Sequence, residues 1–533
     1  MGVDEKRSQM QNTNYTIQIL PQKRTLSTVS GARLLDVLMH NGIFLKSDCG
    51  GKGSCGKCSV SILKADGSSE AVDSCQYKVD KDISIQIPEA SISSSFIMDK
   101  AQVSFPAAFK KQTNPSAAGP LWGAAVDLGT TTIAVYLCDM AQREVISSIA
   151  LKNPQAIYGA DVMSRIGAVS GEAQTLEKMQ GLTIKGIEWG LKQLLSSVGD
   201  GDVLISKMVV VGNPTMIHIL AGIDPTPMGI SPYQPVFLDA RIFQSDDLGF
   251  SIPPFQIQTL PNISGFLGGD ILAAAQAAEM ESQPDGTLLI DLGTNGELLL
   301  KHKDFFYATS CATGPAFEGA TLACGVQAIP GAINSIKIDQ EQNLEALSMV
   351  NPSGMSHIKP TGICGPGVIN AVAQFCTTGV IKPDGGFSSG RDKYILVPEN
   401  STPGQPCIYI SQKDIRSVQL GKSALMTGIA FLLQKAGLVK PEKIIIAGAF
   451  GAYLTKSDLI RLGMIPKMAF EKIEIAGNLA GSGAVMAVCD NQYLQNAVEM
   501  KTKIETIDLS CDIGFQNAFI ENLSFPGFLH GLP

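Results

Sequence analysis

The tetrapeptide Asp-Leu-Gly-Thr occurs twice in this chain, each time in the same frame: AAVDLGTTTIAVYL covers 124 to 137 and LLIDLGTNGELLLK covers 288 to 301. In each, an apolar run of strand length meets an aspartate, a glycine and hydroxyl or amide side chains, and then a second strand begins. The chain is therefore expected to contain two related halves. Helical stretches at 175 to 197, 268 to 282, 364 to 380 and 421 to 437 alternate with Val/Ile/Leu-rich strands, which is α/β patterning. A tight hairpin with glycine in its turn brings backbone N–H groups and threonine hydroxyls against phosphate oxygens, while the strand-end aspartate can hold Mg2+ through water. Two such hairpins facing each other would clamp a polyphosphate. Asp127, Gly129, Thr130, Thr131 and Thr132 would form one grip, and Asp291, Gly293, Thr294, Asn295 and Gly296 the other. Neither half carries Gly-x4-Gly-Lys-Ser/Thr, which excludes a P-loop on pattern.

At 533 residues the chain is too long for one core. A hydrophobic fraction of 45%, 17% charged residues and a mean hydropathy of +0.16 describe a compact protein, not a disordered one. A net charge of −8 and pI near 5.3 argue against nucleic acid, whose binders cluster Lys and Arg. The N-terminal MGVDEKRSQM shows no export signal, and no apolar run is long enough to span a bilayer. A cytoplasmic protein with no membrane partner is expected. In that compartment thiols stay reduced, so 12 cysteines point to metal ligation or buried thiols over disulfides.

Residues 14 to 92 read as a small β-rich module with one short helix, GARLLDVLMHNG. Its loop SDCGGKGSCGKCSV holds Cys49, Cys55 and Cys58 in the spacing Cys-x5-Cys-x2-Cys, and Cys75 follows in AVDSCQYKVD. Four thiolates suit either an iron–sulfur cluster or tetrahedral zinc; three bunched on one loop and one standing alone favour the cluster. The loop glycines let backbone wrap an inorganic core and aim N–H groups at sulfides. Lys52 and Lys57 read as solvated surface ahead of a docking patch. Behind the module, SFPAAFKKQTNPSAAGP has the composition of a tether. The resulting division is a cluster module at 1–95, a flexible linker at 96–122, a first half at 123–284 and a second half at 285–533.

On these motifs, the N-terminal module resembles a plant- or adrenodoxin-type [2Fe–2S] ferredoxin, which implies an α+β β-grasp fold and Cys49, Cys55, Cys58 and Cys75 as ligands. KIIIAGAFGAYL at 443 to 454 and AGNLAGSGAVMAV at 476 to 488 suit close packing on a nucleoside. With the two hairpins they resemble the superfamily of acetate and sugar kinases, Hsp70 and actin, a duplicated α/β ATPase fold. That resemblance implies ATP and Mg2+, with Gly448, Ala449, Phe450, Gly451 and Gly481 near the nucleotide.

The combination resembles the reductive activators of corrinoid proteins, related to the activating enzymes of O-demethylases. NPQAIYGADVMSRI at 153 to 166, VVGNPTMIHILAG at 210 to 222, ATGPAFEGA at 312 to 320 and TGICGPGVI at 361 to 369 carry it further. It implies ATP-dependent return of Co(II) to Co(I) in a corrinoid protein, an upstream low-potential electron donor, and a homodimer as one assembly left open. Asp127, Asp291 and Glu297 are the catalytic candidates, with Glu318 and Gly314 beside the nucleotide. Activation of another low-potential enzyme, a small-molecule kinase with a redox appendage, and an ATP-switched regulator remain as alternatives. The other cysteines (138, 311, 324, 364, 376, 407, 489 and 511) read as small buried hydrophobes, with a metal site at Cys311 and Cys324 the lesser reading, and the five histidines read as structural.

Overall fold

The computed structural model describes residues 14–46, 51, 53, 56–64, 66–88, 91–92, 103–107, 109, 121–172, 174–198, 204–319, 321–351, 358–401, 406–448, 453–509 and 514–526. Cys49, Cys55, Cys511, Ala449, Phe450 and Gly451 lie outside the described residues.

The N-terminal module is one mixed sheet of β1 (Asn14–Leu20), β2 (Arg24–Val29), β3 (Ser59–Leu63), β4 (Ser69–Asp73) and β5 (Ile83–Gln86), ordered β2-β1-β5-β3-β4. β1 runs parallel to β5, and α1 (Leu34–His40) buries Leu34, Leu35, Leu38 and Met39. This is the β-grasp arrangement of a ferredoxin.

Each later half is built on a six-stranded sheet. In the first, β6 (Trp122–Leu128), β7 (Thr132–Asp139), β8 (Glu144–Lys152), β9 (Lys207–Gly212), β10 (Ile242–Gln244) and β11 (Gln256–Thr259) are ordered β8-β7-β6-β9-β11-β10. In the second, β12 (Thr287–Leu292), β13 (Gly296–His302), β14 (Phe305–Cys311), β15 (Lys443–Ala447), β16 (Ile473–Gly477) and β17 (Ile504–Thr506) are ordered β16-β15-β12-β13-β14-β17. The register is equivalent: Asp127 pairs with Ala134 in the hairpin and with Val211 across the parallel seam, and Asp291 pairs with Glu297 and Ala447 in the same two places. Both aspartates thus end parallel strands, where α/β folds open their crevices.

Between the sheets lie α2 (Gly269–Ala277) and α3 (Leu479–Cys489). They cross closely because Gly483 has no Cβ; one there would stand 2.1 Å from the carbonyl oxygen of Ala273. The core around them draws side chains from both halves, including Val209, Val211, Leu289 and Ile445.

Two sequence expectations change. The helix expected at 421 to 437 is α4 (Gln412–Lys435), entered through a capping box of Ser411 and Asp414. Gly421, which looks like a helix start, lies inside it because a Cβ there would meet the Phe317 ring at 2.6 Å and the Thr313 carbonyl oxygen at 2.6 Å. The linker at 96–122 is also not free where it is described. Ser104 donates its backbone N–H to Ser482 Oγ at 3.1 Å and its hydroxyl to the Ala476 carbonyl at 3.2 Å. Phe109, 5% exposed, packs edge-on to Tyr493 under Arg143. An aromatic residue finding a pocket outweighs the loose composition around it.

The N-terminal module sits on the long helix Thr175–Ser196: Phe44 meets Trp189 edge-to-face at 6.4 Å, Lys185 donates to the His40 carbonyl, and Leu182 and Ile157 complete the module's core. Among the described residues, no helix is long and apolar enough to cross a membrane.

Candidate functional site: a two-loop cleft and a cysteine loop

The facing ends of β6 and β12 open onto a cleft of about 710 Å³ including its mouth. Asp127, Gly129, Thr130, Thr131, Thr132, Asp291, Gly293, Thr294, Asn295, Glu297, Glu318 and Gly448 line it. Gly296 packs beneath it against Thr313 and Leu425. Gly314, at φ 76°, starts the short 3-10 turn that carries Glu318 and is not part of the wall. Gly481 lies behind the wall, where a Cβ would meet the Tyr136 hydroxyl at 2.3 Å, so close packing accounts for that glycine.

The two loops touch. Thr131 Oγ1 and Thr294 Oγ1 are 3.1 Å apart, Thr294 donates to Glu318 Oε2 at 2.8 Å, and Thr131 donates to the same oxygen. Hydroxyls from both halves and one carboxylate therefore meet in the cleft.

The first loop is held from behind by residues the sequence reading did not single out. Asn153 donates to the Gly129 carbonyl at 2.8 Å and Arg165 to the Thr130 carbonyl at 2.6 Å. The Arg165 guanidinium is fully buried and also reaches Gln155 and Gly159; burial pulls it down to about 9. Asn213 donates to Thr130 Oγ1 at 2.9 Å while capping the helix Pro214–Leu220. Asn478 donates to Asp127 Oδ2 at 2.8 Å while capping α3. Both asparagines follow a strand-ending glycine, in Val-Gly-Asn-Pro and Ala-Gly-Asn-Leu, and that shared Gly-Asn before a helix is the sequence signal that would have found them.

A further carboxylate, Asp270, also lines the cleft from the first turn of α2. Burial pushes Asp270 up to about 7, with Asp127 adding to it. Burial, then Asp270 and Asp127, push Asp291 up to about 8. Glu297 lines the same cleft, and burial with the carboxylates of Asp270 and Asp291 pushes it well up. Such crowding asks for a cation. Among the described residues no three His, Cys, Asp or Glu side chains converge as direct metal ligands.

In the module, Cys58 and Cys75 are 1% and 3% exposed and adjacent. Burial pushes the Cys58 thiol up to about 11; ligated iron would reverse that by its charge. Gly51 and Gly53 both hold φ of +77°, and a Cβ on either would stand 2.9 Å from the Arg33 guanidinium or the Gln76 amide. The Ser74 hydroxyl is buried without a hydrogen-bond partner. Two buried sulfurs, a glycine cradle and a spare buried donor fit an iron–sulfur cluster.

Of the remaining cysteines, Cys138, Cys311 and Cys364 are buried, while Cys324, Cys376, Cys407 and Cys489 are partly exposed. The Cys364 thiol donates to the Ile333 carbonyl at 3.2 Å, a packing role. His218 accepts from the Val236 N–H at 3.1 Å and stacks on Phe237, and burial pulls its pKa down; it is structural.

Three family models match. Residues 17–82 match the 2Fe-2S iron-sulfur cluster binding domain, 122–283 the RACo middle region, and 285–530 the C-terminal domain of RACo, the ASKHA domain. The chain is 27% identical to the corrinoid activation enzyme RamQ of Eubacterium limosum, over 92% of this chain and 95% of that one. It is 26% identical to the [Co(II) methylated amine-specific corrinoid protein] reductase of Methanosarcina barkeri, over 78% of each. Among solved structures, the reductive activator for corrinoid, iron-sulfur protein superposes with a TM-score of 0.71 at 25% identity, covering 96% of this chain and 98% of that chain.

Proposed function

The chain belongs to the family of reductive activators of corrinoid proteins, and from that premise we propose that it uses ATP to drive one-electron reduction of a partner corrinoid protein's cobalt from Co(II) to Co(I). One observation carries the coupling. The segment around Pro154–Ile157 touches both ends of the machine: Asn153 holds the Gly129 carbonyl of the first phosphate loop, and Ile157 lies in the core shared with the cysteine module.

The loops at Gly129–Thr132 and Gly293–Gly296 grip the phosphates by backbone N–H groups and hydroxyls. Asp127 and Asp291 would hold Mg2+ through its waters. Glu318, accepting from Thr131 and Thr294, turns toward the terminal phosphate and orients the attacking water, whose proton is released to solvent. Asp270 adds a carboxylate whose charge a bound cation would offset. Gly448 brings backbone against the nucleoside side of the cleft. In the module, Cys58 and Cys75 together with Cys49 and Cys55 hold the cluster, and Gln76 ties the loop shut. The cluster, when bound, supplies electrons one at a time, reloaded by an external low-potential donor. The cobalt gains one electron, and ATP supplies none. Nucleotide biases the transfer only through its different affinity for the two arrangements of the halves.

The test is to mix the reduced protein anaerobically with a Co(II) corrinoid protein and follow the Co(I) absorption band with and without ATP. An ATP-dependent rise is expected; no rise with any corrinoid partner would sink the reading.

A further inference from the structure

Ser74 and Gln76 flank Cys75 in sequence, and each brings a hydrogen-bond donor of a different kind to a cysteine sulfur. Ser74 is 0% exposed; its hydroxyl faces the Cys58 sulfur but makes no hydrogen bond among the described residues. Buried hydroxyls are nearly always paired, and with the Ser74 N–H on the Cys58 carbonyl at 3.2 Å, the Cys58 sulfur is the acceptor this hydroxyl faces. On the other side, the Gln76 amide nitrogen donates to the Gly51 carbonyl at 2.9 Å and stands 3.4 Å from the Cys75 sulfur. Its side chain crosses directly over Gly53, where a Cβ would come within 2.9 Å of Gln76 Cδ. That glycine is therefore required twice, for its φ of +77° and for the space Gln76 occupies.

We propose that Ser74 and Gln76 set the reduction potential of the cluster, the Ser74 hydroxyl donating from the buried side toward the Cys58 sulfur and the Gln76 amide from the outer side to the Cys75 sulfur. The proposal rests on the reading of Cys49, Cys55, Cys58 and Cys75 as cluster ligands. The physical basis is charge. One-electron reduction adds a negative charge shared with the ligand sulfurs, and a donor aimed at a sulfur stabilises that form more than the oxidised one. Each donor raises the potential, so removing either leaves a stronger reductant that is harder to reload.

The experiment uses the full-length holoprotein: parent, Ser74→Ala, Ser74→Thr and Gln76→Leu. Iron and acid-labile sulfide are measured first, and a parent without them would fail the ligand reading itself. Potentiometric titrations followed by the visible spectrum and by electron paramagnetic resonance then give the potential. Resonance Raman spectra in H2O and D2O report hydrogen bonds to sulfur. With full iron content, Ser74→Ala and Gln76→Leu are expected to shift the potential negative and each to lose part of the deuterium sensitivity of the Fe–S bands; Ser74→Thr keeps the parent values. Parent potentials in both Ser74→Ala and Gln76→Leu would overturn the proposal. If Ser74→Ala does not hold iron, Gln76→Leu decides alone, since its side chain lies at the surface, and a parent potential there overturns it.

Discussion

The hydroxyls of Thr131 and Thr294, 163 residues apart in sequence, stand 3.1 Å from each other and donate to one oxygen of Glu318. Each belongs to a different half, so the pair exists only while the cleft is closed to this degree. A phosphate bound between the hydroxyls, as proposed, would replace Glu318 as their acceptor and free its carboxylate.

Glu318→Gln keeps the shape and removes the charge. Its expected effect is a fall in the turnover number for ATP of roughly 10²-fold, as for misplacement of the attacking group, with smaller change in the Michaelis constant. Steady-state phosphate release measures both, and an unaltered turnover number would remove Glu318 from the reaction.

Burial, then Asp270 and Asp127, push Asp291 up to about 8, and burial with Asp127 pushes Asp270 up to about 7. A raised carboxylate favours folding fully below the unfolded value of about 4, and that contribution is lost as pH rises through the folded value. The melting temperature of the nucleotide-free protein is therefore expected to fall between about pH 5 and 8, and protection by Mg2+ and ADP to grow across the same interval. Asp291→Asn should flatten both trends in differential scanning fluorimetry; parallel curves for parent and variant would contradict the assignment.

Arg165→Met leaves the Thr130 and Gly159 carbonyls and the Gln155 amide oxygen without the guanidinium they share. At about 1–3 kcal/mol for each buried acceptor, partly offset by relaxation, a loss of about 3 kcal/mol is expected from urea unfolding. Nucleotide affinity should drop at least tenfold by calorimetry, because the first phosphate loop loses its rear support.

Two helix glycines make a matched pair. At Gly181, in the helix Thr175–Ser196, a Cβ meets nothing within 4 Å, so Gly181→Ala should stabilise by about 0.5–1 kcal/mol through helix propensity. At Gly421 the Cβ meets Phe317 and Thr313, so Gly421→Ala should cost about 1–3 kcal/mol by overpacking and slow ATP turnover by shifting the turn that carries Glu318. Equal and favourable shifts in melting temperature for both would show that the turn at Pro315–Glu318 yields freely.

Much of the architecture was legible because it is written in short-range pattern. The strand–turn–strand frame around each Asp-Leu-Gly-Thr gave both hairpins, and helix periodicity found 175 to 197 and 364 to 380 within a residue or two of the helices at Thr175–Ser196 and Gly365–Thr378. Pattern failed where a local signal was answered by a distant neighbour. Gly421 resembled a helix boundary until Phe317 and Thr313 occupied the space its side chain would take. The stretch holding Ser104 and Phe109 had linker composition, yet its partners are Ser482, Ala476 and Tyr493.

The sequence by itself determined the cysteine-bearing module, the duplicated halves and the two Asp-Leu-Gly-Thr hairpins, because glycine turns, thiol spacing and strand alternation act over a few residues. Only the tertiary structure decided what grips those hairpins. Asn478 reaches Asp127 across 351 positions of sequence, and Arg165 is buried against Thr130 from the back of the loop. Such residues are chosen by the hydrogen bonds that buried carbonyls and carboxylates must make, and the identity of those partners exists only once the chain has folded.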